Sequence, residues 1–413
     1  MDESGTVLIG LLKKAVRGEP ADWKTLPGHV LEKEVFRLAG LHSVLPLALE
    51  PVLLSEELKD RADRNAVKNA RSRVLCQTRR TADLLLLLDF LEARELRPVI
   101  MKGIICRELY PVPSLRPSVD EDFLIPPDRI AAYDAALKEY GFETETDVPA
   151  LEETDEITYC SKDLGMCIEV HRYPFPTGKK AYAHLNRWLD GAQDRAKCTV
   201  CQGRRILTLD ETDHLLYMLF HVYKHFLHGG FGIRQVCDIA LFSERNAGVI
   251  DWKALRRSCA EAGIYRFCAA VYGVCARLLG DSPLFSVLDA DVLSETDCSP
   301  LLEDIMDSGV YGTTTMSRMH SSTLTLHAAE MARSGRKARV NPIASLFPPL
   351  DYMKNGYPFL KKAPFLLPVA WAKRFFGYLR EKKIRKHGNS ARESVELGRR
   401  RIELMKFYGI ADC

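Results

Sequence analysis

The sequence predicts an α+β protein: a small mixed β-sheet core with its own helices, embedded between an N-terminal helical segment and a larger C-terminal helical region. Three observations predict it. Residues 55–95 run without Gly or Pro through good helix formers. Residues 98–175 change texture to short apolar runs divided by turns. From residue 210 onward amphipathic stretches return, separated by glycine breaks. The 413 residues allow two to four domains at roughly 100–200 residues each, and the texture divides them at 1–96, 97–208, 209–330 and 331–413.

Each element follows from its residues. The run over 55–95 opens with Ser55-Glu56-Glu57-Leu58, a capped start, and stops at Leu96-Arg97-Pro98. Its second half, from Ala82 to Leu91, is apolar nearly all round and is expected to be buried. Val99-Ile100-Met101 reads as a strand ending at Lys102-Gly103, with helical character over 104–110 and a second apolar run at Phe123-Leu124-Ile125. Residues 127–140 form an amphipathic helix with Ile130, Tyr133, Ala136 and Leu137 on one side and Gly141 as its stop. Residues 156–161 and 166–171 are strands joined by the hairpin loop Lys162-Asp163-Leu164-Gly165. Helices follow over 213–227, 233–245, 252–262 and 264–279, and the Pro-punctuated tail ends in basic helices over 370–387 and 390–407.

Charge is unevenly distributed. Residues 331–413 hold 19 Lys and Arg against 6 Asp and Glu, a local +13, which leaves −10 for residues 1–330. The N-terminus lacks the basic flank and apolar run of a secretory signal, and the most apolar stretches fall short of the ~20 residues that span a bilayer. A cytoplasmic protein without a transmembrane segment is expected. The 12 cysteines show no regular spacing, and Cys198-Thr199-Val200-Cys201 lacks the second pair of a four-sulfur zinc site, so it reads as two reduced thiols near a turn.

Chemistry concentrates at Arg116-Pro117-Ser118-Val119-Asp120-Glu121-Asp122-Phe123-Leu124-Ile125. Asp120 and Asp122 are two apart in a strand-like run, so both carboxylates project from one face. Alone, the pair also reads as a solvated acidic turn. Ile168-Glu169-Val170-His171 adds a third carboxylate from a later strand, and three carboxylates so placed can hold two metal ions for phosphoryl or nucleotidyl transfer. Mg2+, as two ions, is the expected cofactor, with Mn2+ as its substitute, and a nucleoside triphosphate (NTP) is the expected substrate. Upstream, the strand-to-helix junction at Gly103 offers backbone N–H groups to phosphate oxygens, and Lys102 offers a point charge.

Lys102-Gly103, Leu115-Arg116-Pro117, Asp120-x-Asp122-Phe123-Leu124-Ile125, Tyr140-Gly141-Phe142 and Ile168-Glu169-Val170-His171 together resemble the pattern of an uncharacterised nucleotidyltransferase family within the DNA-polymerase-β-like superfamily. The helical region with His221-Val222-Tyr223-Lys224-His225, Arg234 and Asp238-Ile239-Ala240 is similar as well, as are Leu346-Phe347-Pro348-Pro349 and residues 366–371 of the tail. The resemblance implies that Asp120, Asp122 and Glu169 are catalytic metal ligands, with Glu169 helping to deprotonate the acceptor. Lys102, Gly103, Arg116 and Ser118 are the nucleotide-binding candidates. Three departures stand out: Lys102-Gly103 replaces the usual Gly-Ser of the phosphate turn, Glu169 replaces an Asp, and Glu121 replaces an apolar residue. Glu121 is expected on the opposite face, toward solvent.

His214, His221, His225 and His228 fall on one helical face. That face can line the cleft with His171, Lys224 and Arg234, hold a transition metal, or pack between helices. Asp238 is expected to pair with Arg234 four residues earlier, or to orient a His. The basic clusters over 333–339, 373–386 and 399–406 can bind nucleic acid or an anionic membrane surface, or dock on the acidic body. The reading reached is a metal-dependent nucleotidyltransferase with an unidentified acceptor. The competing readings are a catalytically weak or inactive protein of this fold that binds nucleotide, RNA or a protein partner, and a phosphohydrolase using the same acids on water.

Overall fold

The computed structural model describes residues 2–22, 33–144, 151, 154–280, 295–310, 316–335, 347, 350, 353, 357, 359–373 and 391–410. It forms two compact units, one of residues 1–221 with 233–302 and the other of residues 222–232 with 303–413.

The first unit opens with α1 (Glu3–Ala15), whose first turn is capped by Asp2 accepting the Gly5 N–H at 2.8 Å. Helices α2 (Lys33–Leu41) and α3 (Leu45–Leu54) pack against it, with Val35, Phe36, Leu47 and Leu49 buried. The long helix α4 spans Arg64–Glu92 and starts nine residues later than the capping signal at Ser55 suggests, because Asp63 caps it instead by accepting from the Ala66 N–H. Its apolar half is buried on one face only. Leu84, Leu87, Leu88 and Leu91 enter the core, whereas Leu86 is 58% exposed.

The seven strands are β1 (Val99–Ile100), β2 (Asp120–Leu124), β3 (Glu143–Thr144), β4 (Glu156–Ser161), β5 (Met166–His171), β6 (Lys197–Cys201) and β7 (Arg204–Thr208), in the sheet order β3-β4-β5-β2-β1-β7-β6. The two central pairings that matter for the site are parallel β2 with β5 and antiparallel β1 with β2. Between β1 and β2 lies the short helix α5 (Ile104–Arg107), and after β2 comes α6 (Ile130–Glu139). One sheet face, with Phe123, Ile168, Val170, Ile157 and Tyr159, packs under α4 and under Tyr133 and Leu137 of α6. Each such fully buried side chain contributes about 1.5–3 kcal/mol. Strand alternation then leaves Asp120, Asp122, Glu169 and His171 to the opposite face.

Strands β6 and β7 are a hairpin that the sequence reading does not contain. Its turn is Gln202-Gly203, both residues at positive φ, a turn chemistry usually signalled by Asn-Gly. Cys198 is exposed and Cys201 buried on this hairpin. Cys160 and Cys167 are joined in a disulfide across β4 and β5, a pairing the irregular cysteine spacing does not signal.

Four helices continue the chain: α7 (Glu211–His228), α8 (Ile233–Arg245), α9 (Trp252–Glu261) and α10 (Tyr265–Leu279). Residues 222–228 of α7 belong to the second unit. That unit packs helix Ala391–Phe407 on helix Met316–Arg333, with Gly398 against Leu324. Arg401 is buried there, donates to the Phe226 carbonyl and lies near Asp304, and burial pulls its guanidinium down to about 10. The final basic helix of the sequence reading is therefore a packed element. Most of the basic helix expected over 370–387, and the clusters over 336–339 and 374–386, lie outside the described residues. No helix among the described residues is long and apolar enough to cross a membrane.

Candidate active site

The site begins with the alternation of β2. Asp122 stands opposite Glu169, and Asp120 opposite Cys167, in the parallel β2–β5 ladder. The three carboxylates singled out in the sequence thus share one face of the sheet. His171, two residues beyond Glu169, brings Nε2 to 3.4 Å from Asp122 Oδ1 and 3.7 Å from Glu169 Oε2. Donor atoms of Asp122, Glu169 and His171 all lie within 4.8 Å of one another. Asp120 flanks this group one ladder step away.

Two further acids and a cation complete the field. Glu156 of β4 faces His171 in the ladder, with Oε2 3.6 Å from Nδ1. Lys102 Nζ lies 3.1 Å from Asp122 Oδ2 and donates to His221 Nε2 at 2.9 Å. Burial alone would raise the Asp122 carboxyl, but the Lys102 ammonium and His171 outweigh it and hold it well below the usual carboxylate range. Burial would likewise lower His171, but hydrogen bonding toward Asp122 and Glu169, with the nearby Glu156 charge, pushes it up to about 9.

The site is anchored from behind. Glu121 does point to the opposite face, but that face is buried rather than solvated. Its carboxylate pairs with Arg107 Nη1 at 2.6 Å and accepts the Ile104 N–H at 2.9 Å. The first N–H after Gly103 is therefore already satisfied by protein, where the sequence reading has it receive phosphate. Gly103 itself has φ +60°, and a Cβ there would collide with the Glu121 carboxylate.

The segment leading into β2 is fixed at Arg116, Pro117 and Ser118. Arg116 makes a bidentate pair with Asp238 of α8 at 2.8 and 2.7 Å, and Tyr110 donates to the same carboxylate at 2.8 Å. This corrects the expected Asp238–Arg234 pair: Arg234 instead donates to the Pro117 carbonyl. Ser118 donates its N–H to Gln77 Oε1 at 2.7 Å and accepts from Arg107 at 2.6 Å through Oγ. Arg116 and Ser118 are both buried, so their observed partners belong to the scaffold of β2.

Of the histidine face, His221 reaches Lys102. His214 is buried beside Thr208 and the Met101 backbone, and burial brings it down to about 4, so it packs as a neutral ring. Lys224 and His225 lie in the part of α7 that belongs to the second unit. Tyr217, between His214 and His221 on the same face, escaped the sequence reading. Its hydroxyl is fully buried without a hydrogen-bond partner, and burial, with the field of Asp122, Glu169, Glu156 and Asp120, holds the phenol well above its ordinary range. The i+3, i+4 spacing of 214, 217 and 221 was the signal for it.

The donor set suits a divalent cation. Asp122 Oδ1 and both ring nitrogens of His171 are buried without a hydrogen-bond partner of good geometry, and carboxylate oxygens with an imidazole are ordinary ligands for such ions. Comparison with known proteins agrees with this chemistry. Residues 30–280 match the family described as uncharacterised nucleotidyltransferase, and no curated protein and no solved structure matches the chain. With more than half its length covered, and with the acidic sheet face inside the matched region, the chain belongs to this uncharacterised nucleotidyltransferase family.

Proposed function

We propose that the protein is a divalent-metal-dependent nucleotidyltransferase that moves a nucleoside monophosphate from an NTP to an acceptor hydroxyl or phosphate and releases pyrophosphate. The observation that carries this is the placement of Asp120, Asp122 and Glu169 on one face of the β2–β5 ladder in a chain of this family. These carboxylates would hold Mg2+ or Mn2+, which when bound neutralises triphosphate charge and lowers the pKa of an acceptor hydroxyl. Glu169, the half-buried carboxylate, takes the acceptor proton as its oxygen bonds to the α-phosphorus and the bond to the β-phosphate oxygen breaks. Lys102 adds a point charge for the phosphates, handed over from Asp122. Arg116 and Ser118 act by holding β2 in place.

A second reading, a protein of this fold that binds nucleotide, RNA or a partner without transfer, is favoured by one observation: the Ile104 N–H at the phosphate turn is bonded to Glu121. Thermal shift with each NTP, with and without Mg2+, separates the two, together with transfer of label from an α-labelled NTP to lysate fractions. Metal-dependent stabilisation and label transfer that both vanish in Asp122→Asn support the enzyme. Stabilisation by RNA with none by any triphosphate supports the binder.

A further inference from the structure

The third donor of the metal group is a histidine, and its setting has the features of a ligand. His171 is 2% exposed, on the same strand face as Glu169 and beside Asp122. Both its ring nitrogens are buried and lack a hydrogen-bond partner of good geometry, as does Asp122 Oδ1, toward which Nε2 is aimed. Three carboxylates stand 3.4–3.7 Å from the ring nitrogens, yet none makes a hydrogen bond of good geometry with them, an arrangement that suits an ion shared between these groups. The spacing is informative. Ligands about 2.1 Å from a shared ion stand roughly 3–3.6 Å apart for angles between about 90 and 120°. Nε2 lies 3.4 Å from Asp122 Oδ1 and 3.7 Å from Glu169 Oε2. On its far side, Nδ1 faces Glu156 Oε2 at 3.6 Å, the carboxylate–histidine order that orients an imidazole toward a metal.

We propose that Nε2 of His171 is a direct ligand of the cation held by Asp122 and Glu169, with Glu156 as the positioning residue behind it, and that this nitrogen makes the site select Mn2+ or a later first-row ion over Mg2+. The inference deepens the nucleotidyltransferase reading and rests on its metal site. Its physical basis is ligand class: Mg2+ takes oxygen ligands and keeps several waters, whereas imidazole nitrogen favours first-row transition ions. Asp120, outside the converging group, is left to serve a second, more exposed ion.

The test uses the full-length protein and Mn2+ as a paramagnetic probe. Electron spin-echo spectroscopy of the Mn2+-loaded protein should show a directly coupled 14N nucleus, and the signal should change to the 15N pattern when the protein is made with 15N-histidine, with no mutation required. Mn2+ titration should give affinity at least 10-fold above that for Mg2+. In His171→Ala and His171→Gln, Mn2+ affinity should fall by more than about 10-fold while Mg2+ affinity changes less than about 3-fold, and Glu156→Gln, the partner behind the ligand, should weaken Mn2+ binding by up to the about 10–100-fold typical of such partners. Mn2+ bound through oxygen alone, with no nitrogen coupling, overturns the histidine ligand and leaves the nucleotidyltransferase reading standing. Failure to bind either cation, with or without triphosphate, removes both.

Discussion

Removing the Asp238 carboxylate isolates a buried guanidinium, and the structure allows the cost to be worked out. Arg116 is 4% exposed and Asp238 3% exposed, they are bonded in two places, and Tyr110 donates to the same carboxylate. Burial would raise the Asp238 carboxyl, yet Arg116 prevails and holds it below the ordinary range. Breaking such a pair by deleting one partner costs about 3–5 kcal/mol, because the other charge stays buried. Asp238→Asn keeps an acceptor for Tyr110 and isolates the charge effect. Asp238→Ala adds about 1–3 kcal/mol for the orphaned hydroxyl. At about 2–4 °C per kcal/mol, Asp238→Asn should melt roughly 6–20 °C lower. Arg116→Met combined with Asp238→Leu removes both charges and should recover at least half of the loss. Urea unfolding followed by near-UV circular dichroism measures each variant. A loss under about 1 kcal/mol in Asp238→Asn, or a double variant as unstable as the two single changes added together, would refute the reasoning.

Three more perturbations test other parts of the molecule. His214 is held down to about 4 from an ordinary 6.5, so the unfolded chain takes up its proton first as pH drops. Its contribution is fully present above about pH 6.5 and lost as pH falls toward 4, roughly 3 kcal/mol in all, and His214→Gln should flatten the urea midpoint over that window. Gly103→Ala should cost at least about 1–3 kcal/mol from its positive φ alone, with more from displacing Glu121, and calorimetry that finds its melting unchanged would contradict the site's packing. Reducing the Cys160–Cys167 disulfide frees a loop of about eight residues, worth about 2.5 kcal/mol on the chain-entropy scale. Dithiothreitol should lower the melting temperature of the wild type but not that of the Cys160→Ser, Cys167→Ser variant.

Local chemistry made much of this legible. The four-residue loop over 162–165 sets residue 161 opposite 166, and the same register places Glu156 opposite His171 and Cys160 opposite Cys167. Alternation and turn residues predict the strands, whereas the disulfide and the acid behind His171 follow only from the residue-by-residue register across the hairpin. Alternation correctly puts Asp120 and Asp122 together and sends Glu121 the other way, but periodicity says which face a side chain takes, not what covers it. Arg107, fourteen residues before Glu121, turns that face into a buried ion pair. Asp238 illustrates the harder case. An i, i+4 partner was at hand in Arg234, and the actual partner is separated by 122 residues, a choice made by tertiary packing. The β6–β7 hairpin was hidden by a Gln-Gly turn where the usual signal is Asn-Gly.

The long sequence separation of Arg116 from Asp238 also sets an order of events during synthesis. At roughly 5–20 residues per second, the α8 carboxylate leaves the ribosome about 6–24 s after the guanidinium it neutralises. Until then the segment entering β2 carries a guanidinium without the carboxylate that neutralises it on burial. The nascent chain therefore passes through an interval in which α4 and the β4–β5 hairpin can form from local contacts while the acidic face stays open. The buried pair that anchors the entry to β2 is completed only when α8 has been made.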